Sequence, residues 1–315
     1  KLKMKKLRYI LSIFIISSFI ISCSKEDEVK KADENVIPGI KILNESSISN
    51  SKIESWTSYA SKKMKDQNAD ILAVSWDVGD FVKEAKPFNQ HKVLLSKEQI
   101  EKLMTGISEW LDKSCLGNNG KKEELEKFRG YIENGADASS QFDICPKSRI
   151  ILMGFTKDMN EENKQSLVIH ELYHAFQQDL SDESCRKSRD KSKSNHKWVV
   201  EGGAEYFAKV VTGEMNNKDG VSALLKQAYE NYNEDKDTSI SGSGIAGRGA
   251  GGIRLMIERG WLKESEILDG SFFHNCSSET DWSDDNSNVS KIKNLWYLIE
   301  EKNGKYVFTK AALEG

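Results

Sequence analysis

Histidine is scarce in this chain, five residues in 315, too few for the exchangeable histidine-rich site of a zinc-scavenging protein. An excess of positive charge is also missing. The 46 lysines and arginines stand against 49 aspartates and glutamates, so there is no electrostatic footprint for nucleic acid. Only Arg186 to Lys197 is locally basic, and a solvated loop accounts for that. The cysteines include no pair at metal-binding spacing, which argues against a zinc ribbon. No apolar run reaches the roughly 18–20 residues of a bilayer-spanning helix, and no internal repeat occurs. About 260 residues beyond residue 52 are left to bury one large core or two lobes.

The N-terminal residues indicate where the protein resides. Met4-Lys-Lys-Leu-Arg-Tyr9 is a short basic start, and Ile10 to Ile21 is almost unbroken apolar, flanked like a secretory signal. The run ends Ile20-Ile21-Ser22-Cys23, which resembles the lipobox of bacterial lipoproteins. That resemblance implies a signal peptide over 1–22, a diacylated Cys23 as mature N-terminus, and a membrane held through the lipid. The alternative is an ordinary signal peptide followed by an incidental cysteine. Ser24-Lys-Glu-Asp-Glu28 is similar to the export tag of surface lipoproteins, implying an outer-membrane lipoprotein exposed on the bacterial cell envelope. Read more simply, it is part of a solvated tether. Residues 23–52 are rich in Ser, Asn, Lys and Glu and read as that tether. Without residues 1–22 the balance is 41 basic to 49 acidic residues, a formal charge of −8. Beyond the lipidated Cys23 there are Cys115, Cys145, Cys185 and Cys276, an even number that in an exported chain suggests two disulfides with three possible pairings.

Asp70 to Asp77 and His91 to Leu95 read as strands, and Ser148 to Phe155 as a strong one. Ser96 has the look of an N-cap with Gln99 at the capping-box position, opening a helix to about Lys113. Its packing face is set by Ile100, Leu103, Met104, Ile107 and Leu111 at helical spacing. A weaker helix covers Lys121 to Ile132. Asn160 or Asp158 caps the next helix, which runs to about Leu180; others span Trp198 to Val211 and Gly220 to Tyr232. A glycine-rich stretch, Ser241 to Gly252, precedes an apolar helix through Ile257.

Two of the five histidines lie four residues apart in Ser166-Leu-Val-Ile-His-Glu-Leu-Tyr-His-Ala-Phe-Gln177. On a helix, residues i and i+4 stack on one face roughly 5–6 Å apart, so His170 and His174 can aim two imidazoles at one ion. Glu171 is rotated by about 100°, beside the ion, where it can take a proton from water. Leu167, Leu172 and Phe176 supply apolar surface for burial. A catalytic zinc site needs a third protein ligand and an open position. Trp198-Val-Val-Glu-Gly-Gly-Ala-Glu-Tyr-Phe207 offers Glu201 and Glu205, again i and i+4. One can serve as ligand while the other holds a ligating histidine by its second ring nitrogen. His196, in a polar loop, is the rival third ligand.

These two stretches resemble the catalytic core of gluzincin zinc metallopeptidases, nearest in pattern to the bacterial collagenase-type enzymes, over residues 165 to 208. The resemblance implies zinc (Zn2+) held by His170, His174 and Glu201, a general base at Glu171, and Glu205 supporting a ligand. It implies an α+β, zincin (thermolysin-like) fold in residues 53–315. A small mixed β-sheet and the active-site helix would form an N-lobe over about 53–180, followed by a mainly helical C-terminal lobe over about 181–315. An edge strand of the sheet would pair with substrate, and Arg149 to Met153 is the candidate. Metzincins fit worse, since Leu180 stands where they place a third histidine. So do enhancin-like peptidases, since Tyr173 replaces their glycine. Where the collagenase-type pattern has a tyrosine before a glycine, this chain has Arg248-Gly249. Arg248 is therefore the candidate oxyanion stabiliser, because a guanidinium can hold developing negative charge; a surface arginine in a flexible glycine loop is the alternative. Tyr232 and His274 are weaker substitutes. The expected activity is a monomeric endopeptidase acting on peptides or extracellular proteins. The alternative is an inactive zincin-fold surface lipoprotein that binds host protein or glycan. Trp261, Phe272, Phe273 and Trp282 would be core in the first case and a binding platform in the second.

Overall fold

The computed structural model describes residues 39–64, 69–82, 91–114, 116–145, 148–179, 197–273 and 287–315. The signal-like segment, Cys23 and the acidic cluster lie outside these residues, as do Cys115, Cys185, Cys276, His196, His274, Trp282 and the side chains of Cys145, Phe176 and Phe273.

The N-terminal half is built on a mixed sheet. Its strands are β1 (Ile40–Glu45), β2 (Asp70–Phe81), β3 (His91–Val93), β4 (Ala138–Cys145) and β5 (Ser148–Thr156). The order is β1-β2-β5-β4, with β3 attached to the far end of β2. β1 and β5 run parallel to β2, in registers such as Leu72 opposite Lys41 and Ile150. β4 is antiparallel to β5, with Ala138 opposite Met153. Side chains alternate along these strands. Ile71, Ala73, Ile151, Met153 and Phe155 meet helices α1 (Asn50–Ser61) and α4 (Glu161–Asp179) on one face. Leu72, Val74, Trp76, Ile150 and Leu152 meet α2 (Lys97–Leu111) and α3 (Asn118–Glu133) on the other. At the start of α2, Ser96 accepts from the Gln99 backbone and Gln99 reaches back to the Ser96 amide, the capping box the sequence indicates.

Two expectations change here. The tether does not extend to residue 52, because Ile40–Glu45 is a paired strand and Ser49 caps α1. β1 escapes a composition reading because an edge strand needs few apolar side chains, and its backbone is satisfied by β2. Arg149 to Met153 is not an edge strand but a central one, between β2 and β4. Its continuous apolar content reflects burial on both faces, which is what central parallel strands have. The outer strands of the path are β1 and β4, and the outer side of β4 faces no strand among the described residues.

Among the described residues the C-terminal half is mainly helical, apart from one two-stranded hairpin. It comprises α5 (Lys197–Met215), α6 (Gly220–Asp235), α7 (Ile245–Glu258), α8 (Glu264–Leu268), α9 (Ser287–Leu295), the hairpin β6 (Ile299–Lys302) and β7 (Lys305–Phe308), and α10 (Lys310–Glu314). Asn303-Gly304, both at positive φ, make the two-residue turn of the hairpin. α5 is the shared wall. Ala204, Phe207, Ala208 and Val211 face the sheet-side core, and Trp198, Val199 and Tyr206 face the helical one. Much of the glycine-rich stretch, expected as a loop before a helix, is itself helical from Ile245 onward. The glycines allow close approach of backbones: a Cβ at Gly249 would overlap the Trp198 carbonyl, and one at Gly202 would overlap Gly249. Tertiary contact outweighs the roughly 1 kcal/mol helix penalty of each glycine. Among the described residues no helix is long and apolar enough to cross a membrane.

Candidate metal centre

Helix α4 follows directly from β5 and starts at Asn160, whose side chain accepts from the Asn163 amide at 2.8 Å. Asp158 instead takes a hydrogen bond from Thr156. From Lys164 to Ala175 the helix is buried on every side, between the sheet, α1 and α5. His170, Glu171 and His174 are therefore enclosed, each no more than 4% exposed.

α5 brings Glu201 and Glu205 against them. The Nε2 atoms of His170 and His174 stand 3.0 Å apart, and Glu201 Oε2 lies 3.4 Å from His174 Nε2 and 3.7 Å from His170 Nε2. The other ring nitrogens are engaged: His170 Nδ1 with Glu205 Oε2 at 3.0 Å, and His174 Nδ1 with Gln177 Oε1 at 2.7 Å. Both partners are acceptors, so each Nδ1 carries the proton and both Nε2 atoms present lone pairs to the same point. Two lone pairs do not bond one another, so something positive belongs between them. Glu201 Oε2, buried and without a hydrogen-bond partner, faces the same point. A tetrahedral ion with bonds of about 2.0–2.1 Å sets its ligands about 3.3–3.4 Å apart, close to the spacing found. The residues fit a metal ion, and His170, His174 and Glu201 would hold it.

The electrostatics agree. Burial opposes charge on His170, but Glu201 and Glu205 outweigh it and raise its pKa to about 10. Burial likewise pushes Glu201 up, yet the imidazoles, His174 foremost, bring it down to about 2. Glu205 is held well below the usual carboxylate range, against burial, by Lys209 and His170. The pocket thus favours a cation among anions, the role a proton plays when no metal is bound. Glu171 goes the other way, since burial raises its pKa more than the two histidines lower it. Its Oε2 is buried without a hydrogen-bond partner.

Gln177 carries no motif signal of its own, although an i+3 position from His174 on a helix is in reach of it. Arg248, expected to stabilise an oxyanion, is engaged elsewhere. The Arg248 guanidinium is fully enclosed and clamps the end of α6 and the loop after it: Nη2 donates to Asp235 at 2.9 Å, and Nη1 to Asp237 at 2.9 Å and the Ser239 carbonyl at 2.7 Å. A guanidinium with both ends so engaged does not turn to an oxyanion. Tyr232 stacks on Tyr297 in the helical core. Phe272 is buried there too, and Trp261 lies partly exposed beneath Arg259.

Residues 123–229 match the family model described as "Putative phage metallopeptidase". The matched stretch contains His170, Glu171, His174, Glu201 and Glu205, and leaves Arg248 outside. Neither the comparison with curated proteins nor that with solved structures gives a match. The family match together with the buried His-His-Glu cluster supports a metal-dependent peptidase.

Proposed function

We propose that the chain is a zinc-dependent endopeptidase of the gluzincin type, carried on the outer surface of a bacterial outer membrane by a lipid on Cys23 and cleaving extracellular proteins. The observation that carries this reading is the convergence of two imidazole lone pairs and one unpartnered carboxylate oxygen on a single point. Two histidines and a glutamate are a donor set of catalytic zinc, which keeps its fourth position open. Bound there, zinc supplies Lewis acidity, lowering the pKa of water toward neutrality and polarising the scissile carbonyl. Glu171 takes the proton of the attacking water on a carboxylate oxygen and gives it to the leaving amine nitrogen. Its raised pKa suits both halves of that transfer. Glu205 holds His170 by Nδ1, so Nε2 is the nitrogen turned toward His174 and Glu201. The outer side of β4 faces no strand among the described residues, and an extended peptide pairs there by adding a strand.

Glu171→Gln is expected to bind zinc as the parent does and to lose peptide cleavage. The test is zinc content alongside hydrolysis of denatured protein; hydrolysis at the parent rate would refute the base assignment. The second reading, an inactive surface lipoprotein that binds host protein or glycan, is favoured by the enclosure of Arg248. It predicts no chelator-sensitive hydrolysis by the zinc-loaded parent.

A further inference from the structure

We infer that Gln177 is a positioning residue that selects the metal-binding tautomer of His174 and straps the two halves of the site together. The geometry is a three-part chain. Gln177 Nε2 donates to the backbone carbonyl of Val200 at 2.9 Å, and Gln177 Oε1 accepts from His174 Nδ1 at 2.7 Å. A carbonyl only accepts, so Val200 dictates which end of the amide faces it. Turned over, the amide would set its own oxygen against that carbonyl. With the amide so oriented, its oxygen faces His174 and requires a proton on Nδ1. A neutral imidazole has one N–H, so Nε2 is left with a bare lone pair, directed at His170 Nε2 and Glu201 Oε2.

The same amide acts on the third donor. Val200 precedes Glu201 in the first turn of α5, so Gln177 ties α4 to the turn that presents the carboxylate. His170 is held by a charged partner, Glu205, and His174 by a neutral one. Each partner reaches from one helix to the other, and the pairs 170 with 205 and 177 with 200 run antiparallel along them. Outer hydrogen bonds to ligating histidines are typically worth about 10–100-fold in metal affinity. The zinc readout below rests on the proposed metal site; the tautomer readout does not.

The experiment compares the parent with Gln177→Met, which keeps length without hydrogen bonds, and Gln177→Glu, which keeps the acceptor for Nδ1 but loses the donor to Val200. Long-range proton–nitrogen correlation on metal-free, histidine-labelled protein at pH about 8 reads the tautomer. Competition with a chelator reads the zinc dissociation constant. The expected result is a parent His174 protonated at Nδ1, a mixture of tautomers in Gln177→Met, and retained Nδ1–H in Gln177→Glu. Zinc affinity should fall about 10–100-fold in Gln177→Met and less in Gln177→Glu. An Nε2-protonated His174 in the parent, or a Gln177→Met protein unchanged in both readouts, would overturn the inference. A parent with the expected tautomer but no zinc binding would refute the metal site while leaving the tautomer assignment standing. Circular dichroism of each variant checks that it is folded.

Discussion

Glu205 holds His170 across 35 residues of chain, its Oε2 3.0 Å from the ring Nδ1. Lys209, one helical turn further along α5, sits 3.5 Å from the other oxygen of the same carboxylate. The carboxylate is thereby kept charged, and with Nδ1 bonded to it the imidazole turns Nε2 toward His174 and Glu201.

Removing that carboxylate should weaken the site without dismantling it. Glu205→Ala is expected to lower zinc affinity by about 10–100-fold, with Glu205→Gln closer to the parent because an amide oxygen still accepts from Nδ1. Chelator competition measures both. Equal affinities for the alanine variant and the parent would remove Glu205 from the site.

The closeness of α5 and α7 gives a second expectation. Gly202→Ala forces a methyl into the backbone at Gly249, and overpacking of this kind costs about 1–3 kcal/mol. Because Gly202 adjoins Glu201, zinc affinity should fall as well. Urea unfolding in chelator reads the first effect and zinc titration of the folded protein the second. An alanine variant as stable as the parent would mean the helices sit further apart.

Arg248 is expected to govern stability and not turnover. Arg248→Met removes the guanidinium from Asp235, Asp237 and the Ser239 carbonyl and leaves them only their backbone donors. Hydrogen bonds to charged groups are each worth about 1.5–3 kcal/mol, and the half-exposed aspartates regain water, so a total loss of about 2–3 kcal/mol is expected. Hydrolysis per folded molecule should be nearly unchanged. A large fall in kcat at parental stability would restore the oxyanion role.

His91 should give stability a pH dependence. It bonds the Gly79 carbonyl through Nδ1 at 3.2 Å, and its Nε2 lies 3.9 Å from Asp137. Asp137, outweighing burial, raises its pKa above the ordinary value. A raised folded pKa means the stabilisation is complete below the unfolded value of about 6.5 and fades as pH climbs through the folded one. The parent should therefore exceed His91→Gln in stability at pH 5–6 and lose that margin on the alkaline side. A margin independent of pH would contradict the pairing.

Zinc itself should stabilise the folded chain. Free metal at about 100 times its dissociation constant adds about 2.7 kcal/mol, seen as a rise in Tm that a chelator reverses. His174→Ala should abolish the rise, and a rise that survives it would place the ion elsewhere.

Local rules were enough for some of this protein. The closeness of His170 and His174 is readable because the spacing of residues on a single helix is set by the helix, whatever surrounds it. The Ser96–Gln99 capping box and the apolar face of α2 belong to the same class, as does the strand at 148–156. Everything that depended on two elements meeting was decided by the tertiary structure. Glu201 could be proposed from its pattern, but its distance to the imidazoles depends on how α5 lies along α4. Whether a strand is central or at an edge depends on its neighbours, so β5, expected at an edge, lies between β2 and β4. Arg248 looked free in a glycine-rich stretch, and became an enclosed clamp only once α7 packed beside α6. The glycines around it read as a loop because propensity is local, while the helix they form is held by backbone contact with α5. Gln177 was in plain view in the motif, yet its task is set by the carbonyl of a residue 23 positions away.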